Sequence, residues 1–175
     1  MNIPNILSII RLGLIPLFIF LFFSAYTNSL IYAIIIFLIS GITDVLDGYI
    51  ARKFNLITKL GTVLDPLADK LMLITVLLCL GIKSYIPLWL PIIVIIKEIS
   101  MICGGFFLYN KDTVVPSNIF GKLATFLFYV SISILYFNNK IGLYMLYASL
   151  IATLIAFISY LTKYIELRKY ENKGK

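Results

Sequence analysis

Four aspartates stand in two closely spaced pairs in the first half of the chain. Asp44 and Asp47 are three residues apart. Asp65 and Asp69 are four residues apart. In a helix, both spacings put the two carboxylates on one face. Hard divalent cations bind carboxylate oxygens, and two such ions that share carboxylates suit the chemistry of phosphoryl or pyrophosphate groups. The spacing therefore favours a divalent-metal site that acts on phosphates.

The helices that must position these acids belong to an unusually apolar chain. Of 175 residues, 61% are hydrophobic and 13% are charged, with a mean hydropathy of +1.01, whereas soluble domains have about 25% charged residues. A membrane span needs about 20 apolar residues, and six such helices fit. They are predicted near residues 11–27, 29–52, 60–82, 86–109, 117–138 and 141–163. We expect an all-α integral membrane protein with six transmembrane helices, a short interfacial N-terminal helix over residues 1–10, and a single domain over residues 1–175.

Carboxylates inside such helices need a counter-charge. An aspartate at the centre of a membrane helix costs about 2.5 to 3.5 kcal/mol on insertion scales. Five of the eight acidic residues fall within the predicted helices, namely Asp44, Asp47, Asp65, Asp69 and Glu98. Metal ions are one source of positive charge. Pairing with Arg52, Lys70 or Lys97 inside the bundle is the alternative.

The second and third predicted helices are joined by the basic connection 52–59. We expect them to be antiparallel neighbours whose carboxylates face one another. At about 1.5 Å per residue, Asp47 and Asp65 both lie roughly 7–9 Å from the end of that connection. The four acids are thus predicted at a matched depth near one membrane surface.

The distribution of lysine and arginine orients the chain. Most cations fall on one side of the predicted topology, whereas Lys83 and Lys140 fall on the other. By the positive-inside rule, both termini and the acidic site are predicted on the cytoplasmic side. The net charge of +7 is then explained by topology and by attraction to anionic membrane lipids, so no nucleic-acid partner is expected.

The chain has no histidine, which excludes Ser-His-Asp triads and phosphohistidine intermediates. Small and polar residues near the acids suit a ligand site instead. Gly48 lets a substrate approach the backbone, Arg52 can neutralise a phosphate, and Thr58 can donate a hydroxyl to it.

Residues 44–69 form a fixed pattern of eight positions. It reads Asp44-x2-Asp47-Gly48-x2-Ala51-Arg52-x8-Gly61-x3-Asp65-x3-Asp69. This pattern resembles the signature of the CDP-alcohol phosphatidyltransferase family, with every fixed position present. The segment Asn5-Ile6-Leu7-Ser8 before Arg11 also resembles that family, so the resemblance covers nearly the whole chain.

The resemblance implies a function for each matched residue. Two Mg²⁺ or Mn²⁺ ions would be bound by Asp44, Asp47, Asp65 and Asp69, with Asp69 also the general base. The CDP moiety would be held by Gly48, Arg52 and Thr58, helped by Asn5 and Ser8. In the family, an acceptor hydroxyl attacks the lipid-linked phosphorus of a CDP-alcohol such as CDP-diacylglycerol, and CMP leaves. A homodimer is also implied by the resemblance.

Four lysines are candidate ligands for an acceptor phosphate: Lys59, Lys70, Lys97 and Lys122. The contexts of Lys70, Lys97 and Lys122 resemble the branch of the family whose acceptor is glycerol 3-phosphate. Ala124 and Phe128 depart from the pattern of that branch, so phosphatidylglycerol, which would give cardiolipin, and an inositol phosphate stay open as acceptors. An ion pair with Glu98 is the alternative role for Lys97, and a positive-inside anchor is the alternative for Lys122.

Three other classes of membrane protein share some of these features. An ion-coupled transporter also uses intramembrane carboxylates, but its acids would lie at the midplane. An intramembrane prenyltransferase would need a longer bundle with a second acidic motif. A structural membrane protein with a decayed site would not retain all eight motif positions. The short outer loops favour a bacterial plasma membrane.

Overall fold

The computed structural model describes the backbone of residues 3–54, 58–109 and 119–173, and the side chains in these ranges except those at 3–4, 52, 59–60, 62–63, 102–109, 119–120, 122 and 163–173. Six helices occupy these ranges, which confirms the all-α prediction. They are α1 (Ile3–Phe23), α2 (Ser29–Lys53), α3 (Lys59–Ile82), α4 (Trp89–Tyr109), α5 (Ile119–Phe137) and α6 (Asn139–Lys173).

Three of the described helices are long and apolar enough to cross a membrane. These stretches are Asn5–Phe23 in α1, Ser29–Ala51 in α2 and Asn139–Thr162 in α6. A shorter apolar stretch, Leu123–Phe137, lies in α5. The chain thus has the composition of a membrane protein.

The N-terminal segment differs from the prediction. Residues 3–10 do not form a separate interfacial helix but the first turns of α1, which continues to Phe23. Pro4 lies in the first helical turn, where its missing N–H breaks no hydrogen bond. No glycine or proline then interrupts residues 5–10, so nothing separates this segment from the following helix.

The helices fall into two compact units, residues 1–91 and 92–175. In the first unit, α1 packs against both α2 and α3, while α2 and α3 touch each other much less. α2 and α3 are therefore neighbours, as the sequence predicts, but each of them packs mainly against α1. Phe18, Phe22, Phe37, Met72 and Leu77 are buried in this unit.

The second unit contains the close α5/α6 hairpin. Asn138 caps the start of α6, because its Oδ1 accepts a hydrogen bond from Ile141 N at 3.1 Å. A Cβ at Gly142 would lie 2.5 Å from Leu135 Cα. The two helices therefore meet backbone to backbone at the tight end of the hairpin, and only glycine fits there.

Candidate functional site

One face of α1 carries three buried polar side chains at three-residue intervals. Asn5 is 7% exposed, and Ser8 and Arg11 are fully buried. Residues three apart lie on the same face of a helix. This polar stripe, defined as Asn5, Ser8 and Arg11, contacts residues of α2 and α3. The first helix therefore forms part of the candidate site.

Arg11 bridges the aspartate pair of α2. Its Nη1 donates to Asp44 Oδ1 at 2.7 Å, and its Nη2 donates to Asp47 Oδ2. Asp47 is 2% exposed, whereas the side chain of Asp44 is 39% exposed. Because one planar guanidinium contacts both carboxylates, the two acids converge on a single point, as their spacing predicts.

The same arginine links this pair to α3. Arg11 Nη1 also donates to the backbone oxygen of Asp65 at 3.4 Å. The hydroxyl of Ser8 donates to Asp65 Oδ1. Asp65 is thereby held near the α2 pair by α1 rather than by direct packing of α3 on α2. Asp69 lies one turn further along α3 and is partly exposed.

The start of α3 forms the other end of the site. Thr58 is the N-cap of α3, and its Oγ1 accepts from Gly61 N at 3.0 Å. Its hydroxyl donates to Asn5 Oδ1 at 2.9 Å. Gly61 itself lies close to both side chains, since a Cβ there would be 2.7 Å from Asn5 Oδ1. Asn5, Thr58 and Gly61 are thus gathered at a helix N-terminus, where phosphate groups are bound favourably.

The candidate lysines are only partly described. Lys97 of α4 is buried and pairs with Glu98, and its Nζ also donates to Thr153 Oγ1 of α6 at 3.1 Å. The Lys97–Glu98 ion pair is the alternative role that the sequence leaves open for Lys97. Lys70 follows Asp69 in α3 and is partly exposed.

Three predicted site side chains lie outside the described residues: Arg52, Lys59 and Lys122. Gly48 is described. It directly follows Asp47 in α2 and is half-buried. Its position beside the Arg11-bridged pair is compatible with the close substrate approach that the sequence suggests.

The donor chemistry at the bridged pair suits a divalent cation. Carboxylate oxygens are the ligands that Mg²⁺ and Mn²⁺ prefer, and Asp44 and Asp47 already converge on one positive group. Within the described ranges, however, no three acidic or cysteine side chains are close enough to bind one metal ion. The residues thus fit a metal site by type and by convergence of one pair, with Arg11 between the carboxylates.

Arg11 is the site residue that sequence reasoning missed. The charge distribution alone counts it among the cations of the cytoplasmic side, yet it is fully buried between the acids of two helices. Two signals could have identified it. A cation inside an apolar helix needs a partner, and Arg11 continues the three-residue spacing of Asn5 and Ser8.

Comparison with known proteins agrees with the motif. The sequence model of the CDP-alcohol phosphatidyltransferase family matches residues 1–159. A CDP-diacylglycerol--glycerol-3-phosphate 3-phosphatidyltransferase of Rickettsia bellii is 35% identical over 93% of this chain and 92% of that protein. The protein of the same name from Bacillus subtilis is 33% identical over 79% of this chain and 78% of that protein.

A relative named for a different product is also similar. A "cardiolipin synthase (CMP-forming) / mitochondrial hydrolase fusion protein" of Schizosaccharomyces pombe is 39% identical over 66% of this chain and 19% of that protein. The family match and the full-length relatives together settle the membership that the eight-position motif indicates. This chain belongs to the CDP-alcohol phosphatidyltransferase family and is a transferase of phospholipid biosynthesis.

Proposed function

We propose that the chain transfers the phosphatidyl group of CDP-diacylglycerol to glycerol 3-phosphate, forming phosphatidylglycerophosphate and releasing CMP. The observation that carries the choice of acceptor is the similarity, over more than nine-tenths of both chains, to a relative named for glycerol 3-phosphate. Lys59, Lys70, Lys97 and Lys122 are the proposed ligands of the acceptor phosphate.

The proposed cofactors are two Mg²⁺ or Mn²⁺ ions bound by Asp44, Asp47, Asp65 and Asp69. When bound, such ions neutralise the charge that develops on the phosphate oxygens and on the leaving group. The convergence of Asp44 and Asp47 on one cation and the tether of Asp65 to Ser8 support this assignment.

The remaining roles fall to the chain's own side chains. An Asp69 carboxylate oxygen takes the proton of the acceptor hydroxyl, whose oxygen forms the new bond to phosphorus. The phosphorus–oxygen bond to CMP breaks, and CMP leaves with that bond's electron pair. Gly48, Arg52, Thr58, Asn5 and Ser8 hold the CDP moiety. The part-buried Asn5–Thr58 contact at the N-terminus of α3 supports this subsite, since a helix start favours negative charge.

We also infer the setting of the enzyme. The asymmetric placement of lysine and arginine supports an orientation with both termini and the active site on the cytoplasmic side. In this proposal the chain crosses a bacterial plasma membrane six times and forms one catalytic domain. A homodimer is proposed from the family resemblance alone.

Phosphatidylglycerol, which would give cardiolipin, is the second candidate acceptor. One observation favours it, the similarity to a relative named cardiolipin synthase.

The test of the proposed function is CMP release from CDP-diacylglycerol by the purified protein, with Mg²⁺ or with a chelator. Glycerol 3-phosphate, phosphatidylglycerol and an inositol phosphate are supplied in separate reactions. Release that needs both Mg²⁺ and glycerol 3-phosphate supports the proposal. Release only with one of the other acceptors reassigns the substrate, and release that survives chelation contradicts the metal requirement.

A further inference from the structure

Arg11 has no acidic partner on its own helix. The α1 segment Ile3–Phe23 contains no aspartate or glutamate, so the counter-charges of this fully buried cation come from a neighbouring helix. They are Asp44 and Asp47 of α2. An arginine stays protonated in proteins, and its positive charge is therefore a permanent part of the site.

The guanidinium uses one oxygen of each carboxylate. Nη1 contacts Asp44 Oδ1 and Nη2 contacts Asp47 Oδ2. The same two acids are the proposed ligands of a divalent cation. A metal ion and the guanidinium would therefore bind the same two carboxylates. At such short range their positive charges repel each other.

A second observation shows that Arg11 is not fully satisfied where it lies. Its Nε is buried and has no hydrogen-bond partner among the described residues. Buried donors are normally paired, so the carboxylates, rather than a complete cage of acceptors, determine where this side chain lies. Such a side chain can shift when the carboxylates bind another cation.

We propose that Arg11 is a positioning residue that acts as an internal counter-ion: it holds Asp44 and Asp47 together and competes with the divalent cation for them. This inference rests on the proposed metal-dependent function. Its consequence is that Arg11 weakens metal binding while stabilising the acidic cluster. An arginine with a merely structural role would stabilise the fold without opposing the metal.

Variants at Arg11 separate these roles. Arg11→Gln removes the charge but keeps hydrogen-bonding capacity, and it is expected to tighten Mn²⁺ binding by about tenfold or more because the repulsion is lost. Arg11→Lys keeps the charge but cannot make the bidentate contact of a guanidinium. The dissociation constant of this variant for Mn²⁺ should stay within about threefold of the parent's. Lys83→Gln is the matched control. Lys83 is exposed and donates to Phe22 O at the opposite end of α1, so its loss should leave Mn²⁺ affinity unchanged.

The experiment titrates Mn²⁺ into the purified full-length protein in detergent and follows free Mn²⁺ by electron paramagnetic resonance. Tighter binding by Arg11→Gln, with Arg11→Lys and Lys83→Gln close to the parent, supports the inference. Unchanged or weaker binding by Arg11→Gln overturns it.

Thermal unfolding, measured with and without Mn²⁺, tests the inference even if the Arg11→Gln variant folds poorly. The inference requires Mn²⁺ to raise the melting temperature of Arg11→Gln more than that of the parent, and an equal or smaller rise overturns it. Metal-dependent CMP release by the parent is measured in parallel. If the parent fails that assay, the proposed function fails; if it passes and Arg11→Gln does not tighten binding, only the role of Arg11 fails.

Discussion

The hydroxyl of Thr58 donates a hydrogen bond to Asn5 Oδ1 at 2.9 Å, joining the first turn of α1 to the start of α3. Thr58 Oγ1 also accepts a hydrogen bond from Gly61 N and so caps α3. One threonine thus caps a helix and contacts Asn5, which the family resemblance places at the CDP moiety. Helix formation and ligand positioning depend on a single side chain here.

Replacing that threonine tests both of its contacts. Thr58→Ala removes the cap and the link to Asn5, and it should lower the free energy of unfolding by about 1–2 kcal/mol. The KM for CDP-diacylglycerol should rise more than kcat falls, because binding rather than chemistry loses a contact. Thr58→Ser keeps the hydroxyl and should behave like the parent. Equal KM values for the alanine variant and the parent would remove Thr58 from the CDP subsite.

Gly61 is expected to tolerate no side chain. Its Cβ would lie 2.7 Å from Asn5 Oδ1 and 3.0 Å from Thr58 Oγ1, so Gly61→Ala must displace the Asn5–Thr58 contact. We expect transferase activity to fall at least about tenfold, since displacement of about 1 Å can have large effects in an active site.

Gly13→Ala is the matched control for that variant, because nothing lies within 4 Å of a Cβ at Gly13. Alanine also favours a helix by about 1 kcal/mol over glycine. The control should keep full activity and equal or greater thermal stability. Full activity in Gly61→Ala would show that the network at the start of α3 is dispensable.

Much of the helical architecture could be predicted from the sequence, because long apolar stretches separated by polar turns allow few alternatives. The sequence did not predict the features that depend on tertiary packing or on the continuity of a helix. Residues 3–10 are predicted as a separate interfacial helix, but they continue into α1 because no residue breaks the helix. That α1 packs against both α2 and α3 is a tertiary relationship that hydropathy does not encode.

In the candidate site, too, local spacing predicts some features, whereas others depend on tertiary packing. The pairing of Asp44 with Asp47 on one face of α2 follows from a three-residue spacing, and their common contact with one guanidinium agrees with it. The sequence does not predict which cation contacts these two carboxylates. The sequence predicts metal ions, with Arg52, Lys70 or Lys97 as the alternative partners. Arg11 is 33 residues from Asp44 and reaches the acids only through the packing of α1.

The α5/α6 hairpin offers a test of the second unit. Gly142→Ala would place a Cβ 2.5 Å from Leu135 Cα, and backbone cannot move aside as a flexible side chain can. Overpacking of this kind costs about 1–3 kcal/mol, so thermal unfolding in detergent should occur at a lower temperature. Gly121→Ala, on α5 with nothing within 4 Å of its Cβ, is the control. Equal melting temperatures for the two variants would contradict the close contact.

The buried pair Lys97–Glu98 allows its structural and substrate-binding roles to be separated. Glu98→Gln leaves the Lys97 charge buried without its acidic partner, and breaking such a pair costs about 3–5 kcal/mol. Thr153→Val removes only the 3.1 Å hydrogen bond to Lys97 and should cost about 1 kcal/mol. Stability measurements that reverse this order would show that the ion pair is not the main stabilising contact.

Lys97→Gln addresses the acceptor instead. If Lys97 binds the acceptor phosphate, the KM for glycerol 3-phosphate should rise about tenfold or more, because a charge-assisted contact is lost. The KM for CDP-diacylglycerol should not change. Parallel increases in both KM values, or none in either, would confine Lys97 to its pair with Glu98.

The central claim is that Asp69 acts on an acceptor hydroxyl in a metal-dependent phosphatidyl transfer. The most direct measurement is CMP release from CDP-diacylglycerol with Mg²⁺, with and without glycerol 3-phosphate, for the parent and for Asp69→Asn, which keeps the size of the side chain and removes its negative charge. We predict release that depends on glycerol 3-phosphate in the parent and falls at least about a hundredfold in a folded Asp69→Asn protein. Comparable release by the two proteins would contradict the role of Asp69, and no release by the parent with any alcohol would contradict the proposed reaction itself.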